Sequence, residues 1–147
     1  MSSSAHSGGA AAPAMIMKIS PDKIARLTAE FRRFAGEQSD LRASMQSTID
    51  GFEIVSHCPD QSFRSQNLAA MASSLAAISR AITKEVAFDG CDRMLLESKS
   101  GRIVFQPVQA LGVPCTVCVA VSAASLLGRT LWALDAFVAH LKQLPES

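Results

Sequence analysis

Three stretches of the chain repeat large apolar side chains every three or four residues, the spacing of one helix face. The first follows Ser20, a capping residue type, has Pro21 at its first helical position and is predicted to stop at Gly36. The second covers 66–87, and the third covers about 125–144, before Pro145. The stripes are Ile24, Leu27, Phe31 and Phe34; Leu68, Met71, Leu75, Ile78, Ile82 and Val86; and Leu127, Thr130, Leu131, Leu134, Phe137, Val138 and Leu141. We expect each stripe to lie against a sheet.

Strand-like segments lie between the helices and are joined by short turns. Asp50-Gly51 separates 44–49 from 52–57 and is a strong hairpin signal, with a loop as the alternative. A turn at 98–101 separates 93–98 from 102–108. Segment 113–121 is apolar at both alternating positions, which predicts a central strand covered on both faces. The predicted order is helix, two strands, helix, three strands, helix, in a mostly antiparallel sheet.

Composition narrows the range of functions. The 147 residues suit one domain, and 14 basic against 13 acidic residues leave no basic cluster for a nucleic-acid backbone. The first 19 residues are rich in Ser, Gly and Ala, which predicts a disordered tail before a single domain at 20–147. This tail lacks the features of a secretory signal, and no apolar run is long and clean enough to cross a membrane. We therefore expect a cytoplasmic protein with no membrane span and no nucleic-acid partner.

The residue types that carry chemistry do not form a recognisable site. Cys115 and Cys118 have the spacing of a redox or zinc motif, but positions i and i+3 of a strand point to opposite faces. Neither Cys58 nor Cys91 has a nearby Cys or His that completes a metal site, and His57 points away from its neighbour Cys58 on a strand. Glycine-rich phosphate loops are absent from the sequence. We expect no metal, no cofactor and no enzymatic activity.

The middle helix carries an unusual outer face, because no charged residue occurs between Arg64 and Arg80. Small uncharged residues at helical spacing let a second helix approach closely, which predicts dimerisation through this face. The alternative is an alanine-rich exposed helix that forms through propensity alone. The residues opposite the apolar stripe are Ala70, Ser74, Ala77 and Ala81.

The single tryptophan, Trp132, lies on the last helix away from its apolar stripe and near Arg129. Two interpretations stay open. Trp132 is a contact point for a partner, or the tail or first helix covers it.

Several segments together resemble the Roadblock/dynein light-chain family, over roughly 27–141. They are TIDGF at 48–52, LAAMASSL at 68–75, the later strands and SLLGR at 125–129. The resemblance implies a Roadblock/profilin-like three-layer α/β/α fold with a five-stranded antiparallel sheet. One long helix covers one face, and the two terminal helices cover the other. The chain departs from the family pattern at Ser125 and Leu126, where an asparagine often precedes the Leu-Gly pair.

The resemblance also implies a function. Such proteins are typically non-enzymatic homodimers, formed by middle helices and edge strands, that bind or regulate small Ras-like GTPases or act as scaffolds. The dimer residues implied here are Ala70, Ser74, Ala77, Ala81, Arg93 and Leu95, and the partner-binding residues are Ser73, Arg80 and Lys84. Arg80 and Lys84 are one turn apart and so project from the same side of the helix.

A function of a different class is a small-molecule-sensing domain or a signalling scaffold with no GTPase partner. A sensor needs an apolar pocket with convergent polar groups. The nearly unbroken apolar central strand favours a filled core instead.

Overall fold

The computed structural model describes residues 18–59, 63–110 and 112–145. Most of the predicted disordered tail, 1–17, lies outside the described residues. Its last apolar residue, Ile19, is buried against the core. Ile19 therefore packs with the domain that the sequence predicts to begin at Ser20.

Within the described residues, three helices and five strands follow one another in the predicted order. They are α1 (Pro21–Glu37), β1 (Leu41–Thr48), β2 (Glu53–His57), α2 (Ser65–Glu85), β3 (Met94–Glu97), β4 (Gly101–Ala110), β5 (Val113–Ser122) and α3 (Leu127–Lys142). The strands form an antiparallel sheet in the order β2-β1-β5-β4-β3, with β5 in the centre. Helices α1 and α3 cover one face and α2 covers part of the other. The predicted three-layer fold is confirmed.

Helix α1 begins as predicted but passes its predicted stop. The Ser20 Oγ accepts a hydrogen bond from the backbone N–H of Lys23 at 3.2 Å, and Pro21 follows the cap. Gly36 lies inside the last turn, and the helix ends at Glu37. A glycine ends a helix when it adopts a left-handed conformation. Gly36 is not among the residues with positive φ, so the prediction of a stop there is wrong.

The Asp50-Gly51 hairpin is confirmed, and its turn packs against α2. Gly51 has φ +96°, a conformation that residues with a Cβ rarely adopt. A Cβ at this position would also lie 3.2 Å from the Cβ of Ser73. The Ser73 Oγ donates a hydrogen bond to the carbonyl oxygen of Ile49 at 2.8 Å. A glycine at this turn is therefore needed both for its backbone conformation and for the close approach of the helix.

Helix α2 ends at Glu85, two residues before the predicted end, in a paired hydrogen-bond cap. The Phe88 N–H donates to the Thr83 carbonyl at 2.8 Å, and the Ala87 N–H donates to the Lys84 carbonyl at 3.1 Å. The left-handed position of this cap, usually glycine, is occupied by Ala87 at φ 60°. The cap is therefore formed at the expense of backbone strain.

We expect Ala87→Gly to raise the free energy of unfolding by about 1 kcal/mol, because glycine adopts positive φ without a Cβ clash. Urea denaturation at fixed protein concentration measures the change. The matched control is Ala29→Gly, at an exposed position inside α1, which should lower stability by about 1 kcal/mol. An equal loss of stability in Ala87→Gly and Ala29→Gly would contradict the backbone strain at Ala87.

The face between the sheet and the terminal helices holds the larger core. Phe137 of α3 contacts two aromatic rings of α1. The Phe31 ring meets it edge-on at a centroid distance of 4.9 Å, and the Phe34 ring stacks on it at 4.3 Å. The predicted stripes of α1 and α3 supply the helix side of this core, so both are confirmed.

Helix α2 contradicts the prediction for its apolar stripe. The side that lies on the sheet consists of small residues, Ala69, Ala72, Ala76 and Ser79. Beneath them the sheet presents the larger side chains of Met45, Phe105 and Cys118, which fill the space that large helix residues would take. The predicted stripe faces outward: Leu68 and Leu75 are half-buried, and Met71, Ile78, Ile82 and Val86 are more than half exposed.

Candidate functional site

The outward side chains of α2 join those of β3 in one apolar surface, which we call the α2–β3 surface. It is defined by Met71, Leu75, Ile78, Ile82, Met94 and Leu96. All of these except Met71 line a groove of about 330 Å³ between the helix and the strand, and none of the described residues that line it is charged. Ile78, Ile82 and Leu96 are at least half exposed to solvent. Contiguous exposed apolar surface of this kind marks interaction sites.

The groove is present because α2 covers only part of its face of the sheet. Helix α2 packs over β1, β2 and β5. The half of that face formed by β3 and β4 lies beside the helix rather than under it. Ile103 and Met94 of this half are only partly buried, against the small core cluster below α2. Strand β3 is also the edge of the sheet, so within the described part of the chain no strand lies beside its outer backbone groups.

The predicted small-residue face lies next to the α2–β3 surface. All four of its residues are exposed, as the sequence predicted: Ala70, Ser74, Ala77 and Ala81. At about 100° per residue this face is roughly a third of a turn from the large apolar residues, so it lies beside them rather than opposite them as the sequence predicted. Helix α2 thus exposes a large apolar strip and a small one side by side. Their part in a dimer stays a prediction.

The other two predicted dimer residues have side chains on the opposite face of the sheet. The Arg93 Nη2 forms an ion pair with Asp135 Oδ1 of α3 at 2.6 Å. Leu95 packs against the core under α1 and α3. A second chain added at the β3 edge would meet these residues through their backbone groups rather than their side chains.

The predicted partner-binding residues fall into two groups. The Ser73 hydroxyl is half-buried and already donates to the Ile49 carbonyl, which holds the turn against α2. Arg80 and Lys84 are exposed together near the C-terminal end of α2. At 100° per residue, Arg80 points about 160° away from Ile78, so the two basic side chains leave the helix on the side opposite the apolar strip.

The sequence prediction missed Met71, Ile78 and Ile82 as surface residues, because they were assigned to the core. A signal for the actual arrangement was present. Ala69, Ala72, Ala76 and Ser79 recur at spacings of three, four and three residues, so they form a second stripe that is able to face a sheet.

The cysteines lie apart, as strand geometry predicts. Cys115 packs in the core below the terminal helices, and Cys118 packs in the cluster below α2. Burial raises the pKa of the Cys115 thiol and raises that of Cys118 further. Burial and then the charge of Glu53 raise the pKa of Cys58. In the part of the chain that the structure describes, no group of three or more His, Cys, Asp or Glu residues is placed to hold a metal ion.

We expect iodoacetamide at pH 8 to leave Cys115 and Cys118 unmodified in the native protein. Raised thiol pKa values lower the thiolate fraction, and burial blocks the reagent. Half-buried Cys91 serves as the internal comparison and should react first. Peptide mass spectrometry with time measures the order, and unfolding in urea should expose all four thiols. Equal native rates for Cys91 and Cys118 would count against this arrangement.

A second exposed patch lies on the other side of the molecule. Trp132 is 74% exposed at the rim of a groove of about 390 Å³ between α1 and α3. Phe34 and Phe137 line this groove, and the His140 Nε2 lies 2.9 Å from Glu30 Oε1 beside them. The first helix therefore does not cover Trp132. Cover by the tail concerns residues outside those described.

The described architecture places the chain in a class of small domains that present an open apolar face beside an edge strand. None of the described helices has the length and apolar character needed to cross a bilayer. The chain adopts the Roadblock/LC7 fold.

Solved structures of this fold match most of the chain at low sequence identity. MglB of Myxococcus xanthus superposes with a TM-score of 0.75 at 14% identity, over 85% of this chain and 91% of that one. An MglB with a tetrameric arrangement gives 0.69 at 13%, over 82% and 88%. A Roadblock/LC7 domain from Streptomyces avermitilis gives 0.65 at 14%, over 77% and 92%. The sequence itself matches no known family model and no curated protein. The likeness confirms the resemblance at the level of the fold.

Proposed function

We propose that this protein is a non-enzymatic homodimer with a regulatory or scaffold function, formed through the α2–β3 surface. The observation that carries the proposal is the exposure of Met71, Ile78, Ile82 and Leu96 on one side of a folded domain. Burying one such side chain fully contributes about 1.5–3 kcal/mol. A second copy offers the same strip in return, as a two-fold interface requires.

The proposed arrangement uses both halves of the surface. Helix α2 of each protomer covers the β3–β4 half of the partner's sheet, which the partner's own α2 leaves open. The β3 edges then lie near each other and pair through their backbone groups. Small residues such as Ser74 and Ala81 beside the strip let the two helices approach closely. The tetrameric arrangement of one MglB supports self-association in this fold.

Light scattering on the purified full chain tests the dimer. At micromolar concentration we expect twice the mass of one chain, with no dependence on salt, because the proposed contact is apolar. A mass of one chain under these conditions overturns the proposed function.

A small Ras-like GTPase is the partner that we propose for the dimer, because the Roadblock resemblance implies one. Arg80 and Lys84 supply the only positive charges on the C-terminal half of α2, beside the small-residue face. A two-fold dimer presents them twice. A single GTPase would therefore meet the two copies asymmetrically and is able to block the second.

Reversing both charges, Arg80→Glu with Lys84→Glu, should slow GTPase association roughly tenfold at low salt while the dimer stays intact. Exposed basic residues at the rim of an interface act mainly on the association rate and its salt dependence. Stopped-flow mixing with a candidate GTPase at two salt concentrations measures this effect.

The matched control for the reversal is Arg32→Glu, at an exposed position of α1 on the other side of the sheet. It changes net charge but should leave the association rate close to that of the parent. Equal rates and equal salt dependence for the parent and the double variant would show that Arg80 and Lys84 are ordinary solvated charges.

A further inference from the structure

A cavity of about 350 Å³ lies under the C-terminal half of α2 and shares Ser79 and Cys91 with the groove at the α2–β3 surface. The helix forms its roof, the ends of β4 and β5 form its floor, and the loop at Gly90 and Cys91 closes one side. The residues that matter here are Ala76, Ser79, Arg80, Pro107, Pro114 and Thr116.

The cavity stays open because the residues above and below it are small or rigid. Ala76 and Ser79 are buried on the sheet side of α2 but are too short to fill the space. Below them, the rings of Pro107 and Pro114 form a stiff apolar floor. The volume lies within the range of pockets that bind small molecules.

The charges around the cavity are one-sided. Arg80 is exposed and lines the cavity, and among the residues that the structure describes no aspartate or glutamate lines it. Among the described residues, the Arg80 side chain has neither an ion-pair partner nor a hydrogen bond, and only its backbone carbonyl accepts one, from the Thr83 hydroxyl at 3.1 Å. The buried Ser79 hydroxyl donates to the Ala76 carbonyl at 2.8 Å, which leaves its oxygen free to accept. Thr116 adds a second hydroxyl to the floor.

From this combination we infer a binding site for a small organic monoanion, a carboxylate with a short aliphatic chain. The Arg80 guanidinium binds the carboxylate, which its planar pair of donors matches well. The aliphatic chain contacts Pro107, Pro114 and Ala76, where water is replaced by apolar surface. The residues proposed to bind the carboxylate and its aliphatic chain all lie in a single protomer.

Calorimetric titration of the full chain with sodium hexanoate, without any GTPase, tests the site. We expect saturable binding of one hexanoate per chain. Hexanol, which lacks the charge, and acetate, which lacks the chain, should each bind at least tenfold more weakly. Amide NMR shifts should cluster at Ala76, Cys91 and Thr116.

Two variants assign the carboxylate contact. Arg80→Gln should weaken hexanoate binding at least tenfold and leave the weak binding of hexanol unchanged. The matched control Lys84→Gln lies one turn further along α2 and does not line the cavity, so hexanoate should bind it as it binds the parent.

Three results would overturn the inference. They are the absence of saturable hexanoate binding, equal losses in the Arg80→Gln and Lys84→Gln variants, and NMR shifts centred on Ile78 and Ile82 instead of the cavity. Light scattering on the same samples gives the oligomeric state, so a failed dimer and a failed ligand site are told apart.

Discussion

Ile78→Glu should turn the protein from a dimer into a monomer. Ile78 is 55% exposed in the single chain and lies in the α2–β3 surface, so a glutamate is tolerated by the folded protomer but not by the proposed contact. An unpaired charge in a buried interface costs about 3–5 kcal/mol. That cost corresponds to roughly a thousandfold rise in the dimer dissociation constant. Sedimentation equilibrium over a range of concentrations measures it.

Two further variants show whether the effect is specific to this surface. Leu126→Glu changes a residue that is 71% exposed, next to α3 on the opposite face of the sheet, and should leave the dimer intact. Ala77→Glu places the charge on the small-residue face that the sequence predicted to meet a second helix. If Ala77→Glu raised the dimer dissociation constant more than Ile78→Glu, the small-residue face would be the main dimer contact. An Ile78→Glu protein that stays dimeric would contradict the proposed interface.

Phe137→Ala should lower the free energy of unfolding by about 3–5 kcal/mol. The Phe137 ring is 3% exposed and contacts both Phe31 and Phe34, so truncation leaves a cavity between α1, α3 and the sheet. Each aromatic pair adds about 0.5–1.5 kcal/mol beyond the area that it buries. A domain of this kind has only about 5–15 kcal/mol of stability in total. Urea denaturation followed by circular dichroism measures the loss.

The matched control for this loss is Trp132→Ala, which removes a larger ring from the same helix at an exposed position. It should change the stability by no more than about 0.5 kcal/mol. Both variants are compared at the same protein concentration, because dissociation of a dimer also contributes to unfolding. Equal losses of stability in the two variants would mean that Trp132 makes core contacts, which would contradict its exposed position at the groove between α1 and α3.

Local signals in the sequence were enough for the elements and their order. Ser20 with Pro21, Asp50-Gly51 and the apolar run of β5 each act through a few neighbouring residues, so a single chain segment contains the information. The separation of Cys115 and Cys118 follows in the same way, since the two-residue period of a strand is a property of the backbone.

The face that α2 turns to the sheet was decided by tertiary structure. The helix carries two stripes of uncharged residues at suitable spacing, one large and one small, and periodicity alone does not rank them. The bulk of Met45 and Phe105 on the sheet selects the small stripe, and those residues come from strands distant in sequence. The same choice turns Ile78 and Ile82 outward and so creates the candidate interface.

Long-range packing also decided the surroundings of two charged residues. Lys23 lies at helical spacing from Leu27 and Phe31 on the core side of α1, and it is buried although its residue type favours solvent. The cavity beside Arg80 likewise combines α2, the loop before β3 and the ends of two strands. The sequence by itself determined the elements, their order and the separation of the cysteines, because these depend on local periodicity and turn chemistry, while the three-layer fold was implied by the Roadblock resemblance. Only the tertiary structure decided the exposed apolar surface and the cavity, because each depends on which distant side chains compete for the same space.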